Sequence, residues 1–193
     1  MPTKLRYWLL FIIAGFLTVV PPAGAAPAVA RNLVSVAWLQ GNMQRDDILL
    51  IDASPGQMYA AKHIPGAVSV DVFSFGGREI PVAEMERRIQ SWGVGKGKKV
   101  VIYDQGGTYM ATSLLFDLYY HGVPAQDLFV LDGGLAKWQA TGGVVTKDAT
   151  PAPKPGDFRV TTLRDDVRVR LPDFLVASGD PAINALVEAL EPD

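Results

Sequence analysis

The chain has 193 residues, of which 49% are hydrophobic and 20% charged, with a formal net charge of −2; that length suits one domain with appendages better than two complete ones. The mild acidity, with no block of basic residues, leaves no electrostatic footprint for nucleic acid or anionic lipid as a partner. Cysteine is absent, which removes disulfides, thiolate metal sites and every thiol nucleophile, and the two isolated histidines, His63 and His121, suggest neither a metal centre nor a cofactor site.

The amino terminus reads as a targeting segment. Lys4 and Arg6 precede a nearly unbroken apolar run from Tyr7 to Val20, followed by Pro21, Pro22 and the small residues Ala23-Gly24-Ala25. A spanning helix wants about 20 apolar residues; this run is shorter and ends in a signal-peptidase-like site, so residues 1–25 are expected to be a signal peptide. Cleavage after Ala25 removes Lys4 and Arg6 and predicts an exported, periplasmic or secreted product with no stable membrane insertion.

Beyond a small-residue linker, Ser35 is placed to cap a short helix carrying Val36, Trp38 and Leu39. Ile48-Leu49-Leu50-Ile51 is a continuous apolar run ending in Asp52, the pattern of a strand buried on both faces. A helical turn over Gln57–Lys62, the loop His63-Ile64-Pro65-Gly66-Ala67 and a short strand Val68-Ser69-Val70 follow. Pro81 stands at an expected first helical position, and Val82, Met85, Ile89 and Trp92 mark one helical face. Gly93 to Lys99 is a basic turn into the strand Val100-Val101-Ile102-Tyr103, which ends in Asp104. Gln105-Gly106-Gly107-Thr108 leads into a helix with Met110, Leu114, Leu115 and Leu118 on its buried face, stopped by Gly122. Phe129-Val130-Leu131 is another strand, ended by Asp132-Gly133-Gly134, with a helix through Trp138 behind it.

Strands alternating with helices over short connections predict an α/β fold with a mainly parallel central sheet and helices on both faces. Sites in such folds lie at the carboxyl ends of the strands, where Asp52, Asp104 and Asp132 all fall. A proline-rich linker over residues 150–157 follows. After it the chain shows a faint repeat of its own opening. An ungapped offset of 136 residues puts Trp38 on Phe174, Leu39 on Leu175, Ile51 on Val187 and Asp52 on Glu188. Residues 158–193 are therefore expected to be the start of a truncated second unit, poorly packed because its sheet is missing.

Three motifs in order carry a resemblance. Tyr59-x-x-x-His63-Ile64-Pro65-Gly66-Ala67, Val101-Ile102-Tyr103-Asp104 and Leu131-Asp132-Gly133-Gly134-x-x-x-Trp138 resemble the rhodanese (sulfurtransferase) family, over a rhodanese-like domain at 33–146. In that family the loop after the central strand begins with a cysteine; here that position is Asp104. With the repeat-like tail, this resembles the non-catalytic N-terminal domain of tandem thiosulfate and 3-mercaptopyruvate sulfurtransferases, whose second domain carries the cysteine. The resemblance also implies an arginine where Ser54 stands, a glycine where Lys62 stands and a further arginine at Ser113.

Sulfane sulfur transfer needs a soft thiolate that accepts sulfur as a persulfide and hands it on. A carboxylate holds no sulfane sulfur, so no catalytic residue is expected in this chain. Asp104, Gln105, Gly106, Gly107, Thr108 and Tyr109 form an active-site-like loop whose N–H groups would cradle an anion. Asp104 either fills that cradle itself or is a satisfied strand-end aspartate. Asp52, His63 and Asp132 are candidate crevice residues, although His63 also reads as a loop histidine and Asp52 as a helix cap.

Gly93–Lys99 precedes its strand and lacks a Gly-Lys-Ser/Thr ending, so it is no phosphate loop, and no nucleophile elbow surrounds Ser54. Two functions remain. The chain is the non-catalytic half of an exported sulfurtransferase, paired with a catalytic second rhodanese domain around a small sulfur-containing anion. Alternatively it is a stand-alone exported pseudoenzyme that binds an anion or a protein.

Overall fold

The computed structural model describes residues 32–75, 80–169 and 171–179. The expected signal peptide and the second copy's first strand lie outside the described residues. Among those residues, no helix is long and apolar enough to cross a membrane.

Five strands form one sheet: β1 (Leu33–Val34), β2 (Ile48–Asp52), β3 (Val68–Ser69), β4 (Lys99–Tyr103) and β5 (Leu128–Leu131). Their order is β1-β5-β4-β2-β3, and every pairing is parallel. The register sets Ile51 beside Ile102 and Asp52 beside Tyr103, bringing the ends of β2 and β4 level. Helices α1 (Val36–Asn42), α2 (Gly56–Ala61), α3 (Val82–Ser91), α4 (Met110–Tyr120) and α5 (Gly134–Ala140) accompany the sheet, and α6 (Leu171–Ala177) lies beyond it.

Side chains alternate along a strand, so each apolar run feeds two cores. Leu49, Ile51, Val100 and Ile102 pack on one face with Met85 and Ile89 of α3 and Leu114 and Leu118 of α4. Leu50, Val101, Tyr103 and Leu131 pack on the other with Leu39 of α1 and Leu135 and Trp138 of α5. A side chain as fully enclosed as Leu114 contributes roughly 1.5–3 kcal/mol by leaving water.

The cap expected at α1 is present, with the Trp38 N–H donating to Ser35 Oγ at 3.1 Å. Pro81 corrects its assignment by one step. Its ψ of 135° is extended, so it caps α3 from outside while its carbonyl accepts from Glu84 and Met85. Val82, in the first turn, is exposed, leaving Met85 and Ile89 as the buried stripe with Trp92 half-buried. β1 is a fifth strand that the apolar pattern does not reveal. Two residues carry no period, and β1 exists only through β5, with the Val130 N–H donating to Asn32 O and the Asp132 N–H to Val34 O.

The largest correction concerns the chain after the domain. Residues 147–164 adopt no helix or strand, yet they lie fastened across the domain rather than hanging from it. The Gly156 N–H donates to Gln90 O, Asp157 Oδ1 accepts from the Lys96 N–H, and Gln90 Nε2 donates to Phe158 O. Further on, the Val160 N–H donates to Glu86 Oε2, the Arg164 N–H donates to Tyr120 O, and the Arg164 guanidinium lies over the Tyr119 ring. Gly156 is a true requirement here, because a Cβ at that point would run into the Val94 carbonyl oxygen. Poor packing from Phe158 onward therefore does not hold for residues 158–164. Backbone and side-chain groups of α3, the end of α4 and the turn before β4 supply the partners that a missing sheet was expected to deny.

Candidate functional site

The site is built from two loops pressed together at the carboxyl ends of β4 and β5. Asp104 follows β4, and its backbone carbonyl accepts from the Leu135 N–H at 2.8 Å while that of Gln105 accepts from the Ala136 N–H at 3.1 Å. A Cβ on Gly106 would stand 2.6 Å from Gly133 O, and one on Gly134 would stand 2.6 Å from Asp104 O. Both glycines also have positive φ, 98° and 55°. Only glycine permits this approach and this turn, so Gln105-Gly106-Gly107 and Asp132-Gly133-Gly134 serve one junction.

Within that junction the Asp104 carboxyl group is enclosed by donors. Oδ1 accepts from the Gly106 N–H at 2.8 Å; Oδ2 accepts from the Thr108 hydroxyl at 2.5 Å and from the Ala111 N–H at 3.0 Å. Ala111 lies in the first turn of α4, whose N–H groups have no partner within the helix and favour negative charge. The side chain thus makes the contacts that this geometry would offer a bound anion.

Asp52 and Ser54, at the end of β2, lie behind this loop. Asp52 is fully buried; Oδ1 accepts from the Ser54 N–H at 2.9 Å, and Oδ2 has no hydrogen-bond partner among the described residues. Burial pushes its carboxyl above the usual carboxylate range, outweighing the hydrogen bonds that oppose the shift. Tyr103 is enclosed alongside, its hydroxyl accepting from the Ile64 N–H at 2.9 Å, and burial with the Asp52 charge raises its phenol far above the ordinary value. Gln105 Nε2 donates to Ser54 Oγ at 3.0 Å, tying the Asp104 loop to the turn after β2.

The other expected crevice residues do not converge here. His63 is buried, stacked on Tyr59 at 3.8 Å between ring centroids, with Nδ1 2.8 Å from Tyr59 O and Nε2 3.1 Å from Asp148 O. Its backbone also forms a bridge with Thr146. It holds the domain's last segment in place and is corrected from crevice residue to structural residue. Asp132 is exposed and forms a surface ion pair with Lys137 at 2.6 Å. Tyr109 is 64% exposed and meets the 56% exposed Phe73 edge to face at 6.3 Å, beside the loop. Sequence reasoning missed Phe73, the Gln105–Ser54 tie and Ala111. The replacement of an expected arginine by Ser54 was the one signal available for the tie, and a backbone N–H seven residues from Asp104 leaves no trace in residue types.

Comparison with known proteins agrees with this geometry. The profile of the rhodanese-like domain matches residues 35–141. A 3-mercaptopyruvate sulfurtransferase of Escherichia coli is 30% identical over 162 residues, covering 75% of this chain and 56% of that enzyme. A mitochondrial thiosulfate/3-mercaptopyruvate sulfurtransferase of Arabidopsis thaliana is 29% identical over 141 residues, 64% of this chain and 36% of that one. The chain spans about half the length, or less, of the curated relatives it matches. A crystal structure of an Escherichia coli 3-mercaptopyruvate sulfotransferase superposes with a TM-score of 0.66 at 26% identity, covering 84% of this chain and 70% of that one. A 3-mercaptopyruvate sulfurtransferase from Leishmania major, 18% identical with a TM-score of 0.59 over 74% of this chain and 43% of that one, shares the fold. With a parallel α/β sheet, the Asp104 loop at its carboxyl edge and a profile match across more than half its length, the chain belongs to the rhodanese-like domain family.

Proposed function

We propose that this chain is the non-catalytic half of an exported thiosulfate/3-mercaptopyruvate sulfurtransferase, working beside a cysteine-bearing rhodanese domain and without a cofactor. The single observation that carries the reading is the Asp104 carboxyl group seated among the Gly106, Thr108 and Ala111 donors. A persulfide sulfur would need that place, and the sequence contains no cysteine to carry one. The domain then supplies a folded wall for a site whose chemistry is done elsewhere.

The purified chain is expected to transfer no sulfur from thiosulfate or 3-mercaptopyruvate to cyanide. Asp104→Cys is expected to give a thiol more acidic than the unperturbed value of about 8.5, taking up sulfur at least stoichiometrically. A cysteine at that position with ordinary acidity and no persulfide sinks the reading. The signal-peptide expectation joins this proposal, and the intact mass of the exported protein tests it: the mature chain begins at or near Ala26.

A second reading, a stand-alone exported pseudoenzyme, is supported by the exposed Phe73–Tyr109 pair beside the loop. With Asp104 in the cradle, this reading favours a protein partner over a small anion.

A further inference from the structure

The basic turn before β4 forms one wall of a cleft, and the strap that crosses the domain forms the other. Between them lies a space of about 500 Å³, within the roughly 300–1,000 Å³ of small-molecule sites. Leu49, Pro153 and Pro155 give the lining an apolar part, and Lys96, Lys98 and Lys154 give it a basic one. Lys154 is distant from the other two lysines in sequence, so only the fastened strap gathers the three. Both walls are held in place. The Lys96 N–H donates to Asp157 Oδ1 at 2.7 Å, and the Lys98 ammonium group donates to the Asp46 backbone carbonyl. At the tip of the turn, Gly97 has a φ of 78° and open space where a Cβ would stand, so its backbone needs glycine and stays uncovered. Among the described residues, no carboxylate forms a salt bridge with Lys96, Lys98 or Lys154. Asp157 is the one acidic residue in the lining, which leaves two positive charges in excess in a chain of net charge −2. Like charges gathered in a concave, partly apolar space repel one another, and a bound anion relieves that repulsion.

We propose that this cleft is a binding site for a small organic phosphate monoester, its phosphate held by Lys96, Lys98 and Lys154 and its organic part laid against Leu49, Pro153 and Pro155. A phosphate monoester carries about 1.5–2 negative charges at pH 7 and offers three acceptor oxygens, which matches both the excess charge and the number of lysines. Lysine binds phosphate as a point charge, so the absence of an arginine fork from the lining is no obstacle. The site lies at the amino ends of β2 and β4, whereas Asp104 follows the carboxyl end of β4. The five residues of β4 separate the two by roughly 15–20 Å, so the proposal stands apart from the sulfurtransferase reading. A ligand that touches the turn and the strap together also ties the strap to the domain.

The test titrates the full chain with phenyl phosphate by calorimetry, at low salt and again at about 0.15 M, where charges beyond about 8 Å are screened. Binding with a Kd below about 1 mM is expected at the higher salt. Benzoate, with the same ring and a single charge, should bind at least about tenfold more weakly. Lys154→Ala on the strap and Lys96→Gln on the turn should each weaken phenyl phosphate at least about tenfold. Both lysines are exposed, so neither substitution should move the melting temperature of the free chain by more than about 1 °C. Asp157→Asn keeps an acceptor for the Lys96 N–H and removes the opposing charge, so it should tighten binding about threefold or more; loss of a merely structural residue would not. In nitrogen-15 spectra the amides of Gly97, Lys98 and Lys154 should move on titration while those of Gly106, Thr108 and Ala111 stay. Binding indifferent to Lys154→Ala, or equal for benzoate and phenyl phosphate, overturns the proposal. Shifts confined to Gly106, Thr108 and Ala111 also overturn it, by placing the anion at the Asp104 loop. Binding that disappears at about 0.15 M salt reduces the cleft to adventitious ion pairing with surface lysines, and overturns it as well.

Discussion

Removing the Asp104 side chain isolates what the loop was built around. Asp104→Ala strands the N–H groups of Gly106 and Ala111, while the Thr108 hydroxyl is free to rotate to another acceptor. A buried donor left without a partner costs about 1–3 kcal/mol. Asp104 is 4% exposed, so some water reaches the vacated space, and a total of about 2–4 kcal/mol is expected. At about 2–4 °C per kcal/mol for a protein of this size, the melting temperature should fall by about 5–15 °C. Scanning calorimetry at neutral pH measures the fall. A small anion should then reoccupy the cradle: formate at 100 times its Kd would return about 2.7 kcal/mol to the variant and nothing comparable to the wild type. An Asp104→Ala variant that melts within about 1 °C of wild type, or formate that stabilises both proteins equally, would falsify the view that the carboxyl group fills an anion site.

Two further outcomes follow from the same geometry. Asp52 has a carboxyl raised by burial, so its contribution to stability is present in full below the unfolded value near 4 and is lost as pH rises through the folded one. Asp52→Asn should flatten the decline in stability above about pH 4, with the similarly raised Asp117 keeping a residual slope of the same sign; urea titrations across pH would show no change in slope if burial were not the cause. Ending the chain after residue 149 removes the partners of Gln90, Lys96, Glu86 and Tyr120. It should cost about 2.5–7.5 kcal/mol in urea unfolding at net gains of about 0.5–1.5 kcal/mol for each of the five hydrogen bonds, whereas ending it after residue 168 should cost little; equal stability at both ends would show that the strap only rests on the domain.

The elements that carry their own period were legible before any contact was known. The runs ending in Asp52 and Tyr103, the Met85–Ile89 and Leu114–Leu118 stripes and the Ser35 cap depend on neighbours three or four residues away. The parallel α/β arrangement then follows from their alternation. The resemblance of the three motifs also put Asp104 where the family has a cysteine, and left two readings of it, a carboxyl group held by the loop N–H groups and a plain strand-end aspartate. Only the tertiary structure decided the features whose partners are far along the chain. β1 is a strand because of β5, His63 is enclosed because Tyr59 and Asp148 present carbonyl oxygens to its ring, and residues 156–164 lie flat because α3, α4 and the turn before β4 offer backbone and side-chain partners. Asp132 and Asp104 occupy equivalent strand ends, yet one pairs with Lys137 in solvent and the other is sealed by Gly106, Thr108 and Ala111. Residue type sets what a side chain can bind, while the packing of distant segments sets whether water or a fixed donor reaches it.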